Sequence, residues 1–303
     1  MQRTSIGRKA VVYTLAAAAG AWLAFHPLAS PAQGARAQQQ KTAKTLPAPA
    51  PPANLSGGKT FSLQNGRLRT TAGAQRLMIE NRDSANAELR AAQYAAEVSG
   101  IDAAIPRGMG RARYAYSLCD TIRARYPYGN DYNGFLSLSL LWKEGHCINN
   151  ATMGYDAARL RNIPAAVVLG RSSDGFHAML RLWDIYLDMN DGRTYTRASL
   201  GKKLIAPPYC EATRPEEIAA IGYGNLAFAE QNSGNYPAAI GLYSKALESL
   251  PKSANFYFGR GFCHYLSGQY GLARSDFAKT LEIDPGYGHA AFYLGKVKQA
   301  LKK

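Results

Sequence analysis

The chain has 303 residues, 47% of them hydrophobic, which is enough to bury a core and excludes a disordered protein. Its formal net charge is +15, and +11 remains once the four basic residues of positions 1–37 are set aside. No basic stripe interleaved with aromatics and no nucleic-acid motif accompanies that charge, so nucleic acid is excluded as a partner and an envelope surface or a merely solvated basic face is left.

The first segment carries Arg3, Arg8 and Lys9, an apolar run from Ala10 to Phe25, and small residues ending in Ala35-Arg36-Ala37. That order predicts a secretory signal over 1–37, cleaved before Gln38, and hence an exported, periplasmic protein. The alternative is an uncleaved membrane anchor over residues 10–29. Residues 38–59, with Leu46-Pro-Ala-Pro-Ala-Pro-Pro-Ala53, read as an extended linker with no means of burying a core.

From Ala72 to Val98 apolar positions recur among many charges, which predicts one or two amphipathic helices. Another helix is expected over 110–125, after the breaks at Gly100 and Pro106, and a turn-rich loop over 126–134. Ile148, Ala151, Tyr155 and Ala158 then share one helical face, placing Cys147 in a first turn. Short strands are expected over 164–169, 177–182 and 185–189.

The C-terminal third has a period of 34 residues. Gly234 recurs as Gly268, Tyr236 as Tyr270, Ala239 as Ala273, Tyr243 as Phe277, Leu247 as Leu281 and Pro251 as Pro285. Gly295 follows Gly261 at the same interval, so 289–301 reads as the first helix of an incomplete third unit, a cap. Residues 216–303 resemble the tetratricopeptide repeat, in which small residues let paired helices pack closely. Such an array offers a groove for a protein partner, or simply packs on the rest of the chain.

A cysteine opening a helix meets unpaired backbone N–H groups and partial positive charge, which favour the thiolate and can steady an oxyanion. The base is sought in the strand pair. If the chain reverses at Trp183-Asp184, Leu182 faces Ile185, Leu180 faces Leu187 and Ala178 faces Met189 on an apolar face. The other face then carries His177 opposite Asn190, Met179 opposite Asp188 and Arg181 opposite Tyr186. Asp188 lies diagonally from His177, within reach of the imidazole, which gives a nucleophile, a base and an orienting acid. Asn190 is a rival for the third position and Asp184 a poorer one. His146 is at most a residue that lines the cleft; Tyr126 and Tyr128 line it, supply an oxyanion donor or, the plainer reading, anchor their loop.

The stretches Gly145-His-Cys-Ile-Asn-Asn-Ala151, Ala157 to Gly170, Phe176-His-Ala-Met-Leu-Arg181 and Tyr186-Leu-Asp188 together resemble the transglutaminase-like core, over about residues 112–192. The resemblance implies an α+β, papain-like fold in residues 60–208, with helices against a small antiparallel sheet and an all-α repeat module after it. It implies Cys147 as nucleophile, His177 as general base and acid, and Asp188 as orienter. The activity implied is attack on an amide or peptide bond of a protein or peptide substrate through a thioester, resolved by water or by an amine. A non-catalytic adaptor working through its repeats is the competing function. Met179 departs from the family, where an aromatic residue is common, and the hairpin is short.

No calcium-loop spacing, glycine-rich phosphate loop or clustered His and carboxylate set is present, so no cofactor and no metal are expected. The four cysteines fit no zinc or redox motif, and Cys119 with Cys210 is the pair to test for a disulfide.

Overall fold

A computed structural model of the chain describes residues 71–81, 87–129, 145–172, 175–202 and 210–302, with Leu136, Ser139, Leu140, Lys143 and Leu204. The expected signal, the alternative anchor and the linker lie outside these residues. Among the described residues the helices with full bounds that come first are α1 (Ala72–Glu80), α2 (Ala87–Ala103), α3 (Arg111–Arg125) and α4 (Cys147–Leu160). Five strands follow, β1 (Ala165–Ser172), β2 (Gly175–Leu182), β3 (Ile185–Leu187), β4 (Thr194–Tyr195) and β5 (Cys210–Ala212). Helices α5 (Pro215–Asn232), α6 (Tyr236–Ser249), α7 (Ala254–Leu266), α8 (Tyr270–Ile283) and α9 (Gly288–Ala300) complete the described chain, which is mostly helical around one small sheet.

The sheet runs β4-β3-β2-β1-β5 and every pairing is antiparallel. Trp183 takes the left-handed conformation, φ 54°, so the β2–β3 connection is tight. Leu182 pairs with Ile185, Arg181 with Tyr186 and Leu180 with Leu187, the expected register. The ladder stops there, two residues short of the expected strand. Gly192, at φ 77°, lets the chain turn back, with its N–H on the Asp188 carbonyl at 2.9 Å and the Asp188 N–H on the Arg193 carbonyl at 2.9 Å. Met189 and Asn190 therefore do not face Ala178 and His177 across a ladder; the returning chain forms β4 instead.

Both faces of the sheet are covered. Ala178, Leu180, Leu182 and Leu187 join the main core beneath α4, where a Cβ on Gly154 would come within 2.5 Å of Leu180 Cδ2. The face expected to be polar carries Met179 and Tyr186 beside Val168 of β1, and all three are buried with Leu200 and Leu204. The chain beyond β4 supplies this second layer, so alternation alone could not mark it as dry.

Helix α1 is tied to α4 by a buried carboxylate. Asp156 accepts from the N–H groups of Ala72 and Gly73 at 2.9 and 2.8 Å and from the Tyr94 hydroxyl at 2.8 Å. Burial pushes its pKa up to about 6 even against those bonds. One turn on, Arg76 and Glu80 form a fully buried pair at 2.7 Å, and Glu80 also accepts from Asn225 of α5 at 3.3 Å. Helix α1 is thus wedged between the sheet-bearing body and the first repeat helix.

The repeat helices pack as successive hairpins. Gly234 and Gly268, 34 residues apart, take φ 77° and 72° in the turns that reverse them. Gly224 lies against Phe256, and Gly259 against Tyr243, so that an added Cβ at either would come within 2.4 Å of the ring. Neither of these glycines falls on the 34-residue period, which is carried by the turn glycines Gly234 and Gly268. Ile218, Ala220 and Ile221 of α5, and Leu250 after α6, belong to the same core as Leu77, Tyr155 and Leu180. The units expected over 60–208 and 216–303 therefore meet through shared apolar burial.

Candidate active site

Cys147 is the first residue of α4, partly exposed, behind an N-cap at His146 in extended conformation. The Asn150 N–H donates to the His146 carbonyl at 2.9 Å and closes the first turn, the end of a helix where backbone N–H groups and partial positive charge gather. Gly145 leads into this turn pinned on both sides. Its N–H donates to Pro127 at 2.8 Å and its carbonyl accepts from Gly129 at 3.1 Å. A Cβ at Gly145 would lie 2.3 Å from Asn150 Nδ2 and 2.4 Å from the Tyr126 carbonyl, which explains the glycine. The Asn150 amide donates to that carbonyl at 3.2 Å, and the Asn149 amide to Ser139 Oγ at 2.7 Å.

His177 lies in β2 directly opposite Gly170 of β1 and is buried. Its Nε2 is 3.0 Å from Asp188 Oδ2, and Cys147 is near enough to its ring to help raise its pKa. With Nε2 committed to the carboxylate, Nδ1 is the nitrogen left for the thiol. Burial pulls the His177 pKa down, but the hydrogen bonds to Asp188 and Cys147 and their negative charge outweigh it and raise it to about 9. Asp188 is fully buried, and its other oxygen accepts the Asn190 N–H at 2.9 Å.

The structure thus brings Cys147, His177 and Asp188 together. Of the rivals, Asn190 contributes its backbone N–H to Asp188, while Asp184 sits in the turn at the far end of the hairpin. Tyr126 is buried with its hydroxyl held by Lys143 Nζ at 3.1 Å, so it anchors the loop. Tyr128 is half exposed and stands edge-on to His146, ring centres 6.0 Å apart. Met179, buried in the second layer, does not line the cleft.

Sequence reasoning missed Asn149, Asn150 and Gly145 as the frame of the cysteine, and Asp156 as the tie to α1. Two adjacent asparagines in the first turn of an otherwise apolar helix were the available signal.

The other three thiols are buried, and burial pushes the pKa of Cys119 to about 12, Cys210 to about 11 and Cys263 to about 12. All four cysteines are free, which corrects the expected Cys119–Cys210 pair. Cys119 Sγ lies 4.0 Å from the Asp188 carbonyl just beyond β3. Cys210 is in β5, three strands across the sheet from β3, roughly 14 Å at strand spacing and far outside disulfide reach. Among the described residues no group of three or more His, Cys, Asp or Glu is placed to hold a metal ion, and no helix is long and apolar enough to cross a membrane.

No family model matches the chain. The "Protein SGT1 homolog" of Homo sapiens is 40% identical to it over 58 residues, 19% of this chain and 16% of that protein. The "Small glutamine-rich tetratricopeptide repeat-containing protein 2" of Saccharomyces cerevisiae is 33% identical over 86 residues, 26% of this chain and 24% of that protein. The "Serine/threonine-protein phosphatase T" of Aspergillus oryzae is 33% identical over 67 residues, 22% of this chain and 13% of that protein. The chain therefore spans less than a quarter of the length of these curated relatives. Together with the paired helices and their 34-residue period, these likenesses define tetratricopeptide-like helical repeats in the chain.

Proposed function

We propose that the protein is a cysteine enzyme of transglutaminase-like type that cleaves amide or peptide bonds. The observation that carries this reading is the imidazole of His177 held between the Cys147 thiol and the Asp188 carboxylate. The Cys147 sulfur attacks the substrate carbonyl, and backbone N–H groups at the helix start stabilise the oxyanion that forms. His177 passes its proton to the leaving amine, which departs and leaves a thioester. Water then enters with His177 as base, releasing the acid and regenerating the thiol. An amine entering in place of water makes a crosslinked product from the same intermediate. Work in the cell envelope is part of this proposal and rests on the composition of residues 1–37.

A second reading is favoured by the named relatives: a protein-binding role carried by the repeats, with the sheet-bearing body as an inert support. The two readings differ at one atom. Cys147 in an active site reacts with iodoacetamide at neutral pH far faster than Cys119, Cys210 and Cys263, whose thiols are buried and proton-bound. Mass spectrometry of the native protein after brief labelling reads the four sites separately. Labelling of Cys147 no faster than Cys263 sinks the enzyme reading and leaves the repeats as the functional element.

A further inference from the structure

Both connections between repeat hairpins dock on the sheet-bearing body, and they use the same position of the repeat. Leu250, after α6, sits in the main core. Asp284, 34 residues later and after α8, receives Arg171 in a two-pronged ion pair, Nε to Oδ2 at 3.0 Å and Nη2 to Oδ1 at 3.3 Å. The contact is close: a Cβ on Gly286 would lie 2.5 Å from Arg171 Nη2. Asp284 also accepts the Gly286 N–H at 3.0 Å, which fixes the loop around the carboxylate.

Arg171 stands next to Gly170, the residue directly opposite His177 in the β1–β2 register. On the repeat side the same loop continues into Tyr287, partly buried, whose hydroxyl donates to Asn255 of α7 at 2.9 Å and whose ring lies 5.0 Å from that of Phe258. A continuous set of packed and hydrogen-bonded groups therefore joins the aromatic interior of the second repeat to the end of the strand beside the imidazole.

We propose that Arg171 and Asp284 are positioning residues for His177, so that the repeats hold the site in register. The proposal rests on His177 acting as the base of the site. A forked guanidinium–carboxylate contact fixes direction as well as distance, and small misplacement of a reacting group is costly.

The test uses the full chain. Asp284→Asn removes the charge while keeping the shape, and it is expected to slow alkylation of Cys147 about tenfold and to move the His177 titration midpoint seen by NMR, with the helical circular dichroism unchanged. The reversed pair, Arg171→Asp with Asp284→Arg, is expected to recover most of the rate. Alkylation within about twofold of the parent, or a loss the reversed pair does not recover, overturns the proposal. Should Asp284→Asn fail to fold, Arg171→Lys, which keeps the charge and loses the fork, is judged by the same limits.

Hydrogen exchange at the amides of 169–178 separates the two ideas. If the parent Cys147 is unreactive, the reading of the site falls, while faster exchange in Asp284→Asn still supports the coupling and unchanged exchange refutes it.

Discussion

His177 is buried yet holds its proton more tightly than an exposed imidazole, because the Asp188 carboxylate lies 3.0 Å from its Nε2 and Cys147 adds to the effect. Since its pKa rises from 6.5 to about 9, the contribution of this contact to stability is full below about 6.5 and is lost as pH rises through about 9. Asp188→Asn removes the main anionic partner. Its NMR midpoint is expected to drop toward 6.5, and its melting temperature to vary less between pH 6.5 and 9 than that of the parent. Turnover of any amide substrate is expected to fall by about 10³-fold or more, as when the orienting acid of a triad is neutralised. A midpoint that stays near 9 in the variant would assign the shift to the sulfur alone.

At the scale of elements, the thiol's place at the start of α4 was legible because Ile148, Ala151, Tyr155 and Ala158 repeat at helical spacing and all are buried. The hairpin register was legible too, since the tight turn at Trp183 fixes which residues face each other. Where β3 ends was not, because that depends on Gly192 turning the chain toward β4, whose two residues carry little pattern of their own. The asparagine pair at 149 and 150 was a visible signal, but what it holds was not: the partners, Ser139 and the Tyr126 carbonyl, are brought there only by the fold. Gly145→Ala tests this frame. Its new Cβ must displace the Tyr126 backbone or Asn150, at a cost of about 1–3 kcal/mol in stability, read from the denaturant midpoint. The rate of Cys147 alkylation is expected to fall at least tenfold, a larger effect than stability alone explains. An alkylation rate equal to the parent's would show that the loop does not set the thiol's position.

For the whole molecule, the wedge of α1 and the shared core decide how separable the parts are. The 34-residue period made the repeats plain in the sequence, but nothing in a period says that Ile218, Ala220, Ile221 and Leu250 face another unit. Removing residues 216–303 uncovers the surface those side chains fill and strips Asn225 from the buried Arg76–Glu80 pair. The truncated chain is expected to be insoluble or to lack a cooperative melt, measured by gel filtration and circular dichroism. A soluble, cooperatively melting product would show that the repeats are an appended arm.

Free solenoids gain and lose units readily, since each unit touches only its neighbours. Here Leu250 and Asp284 make successive footholds on one rigid support. Splicing an extra 34-residue unit between them would carry the carboxylate a full step past its guanidinium. The distance between those two footholds is therefore matched to a single repeat, and an insertion there would cost the ion pair.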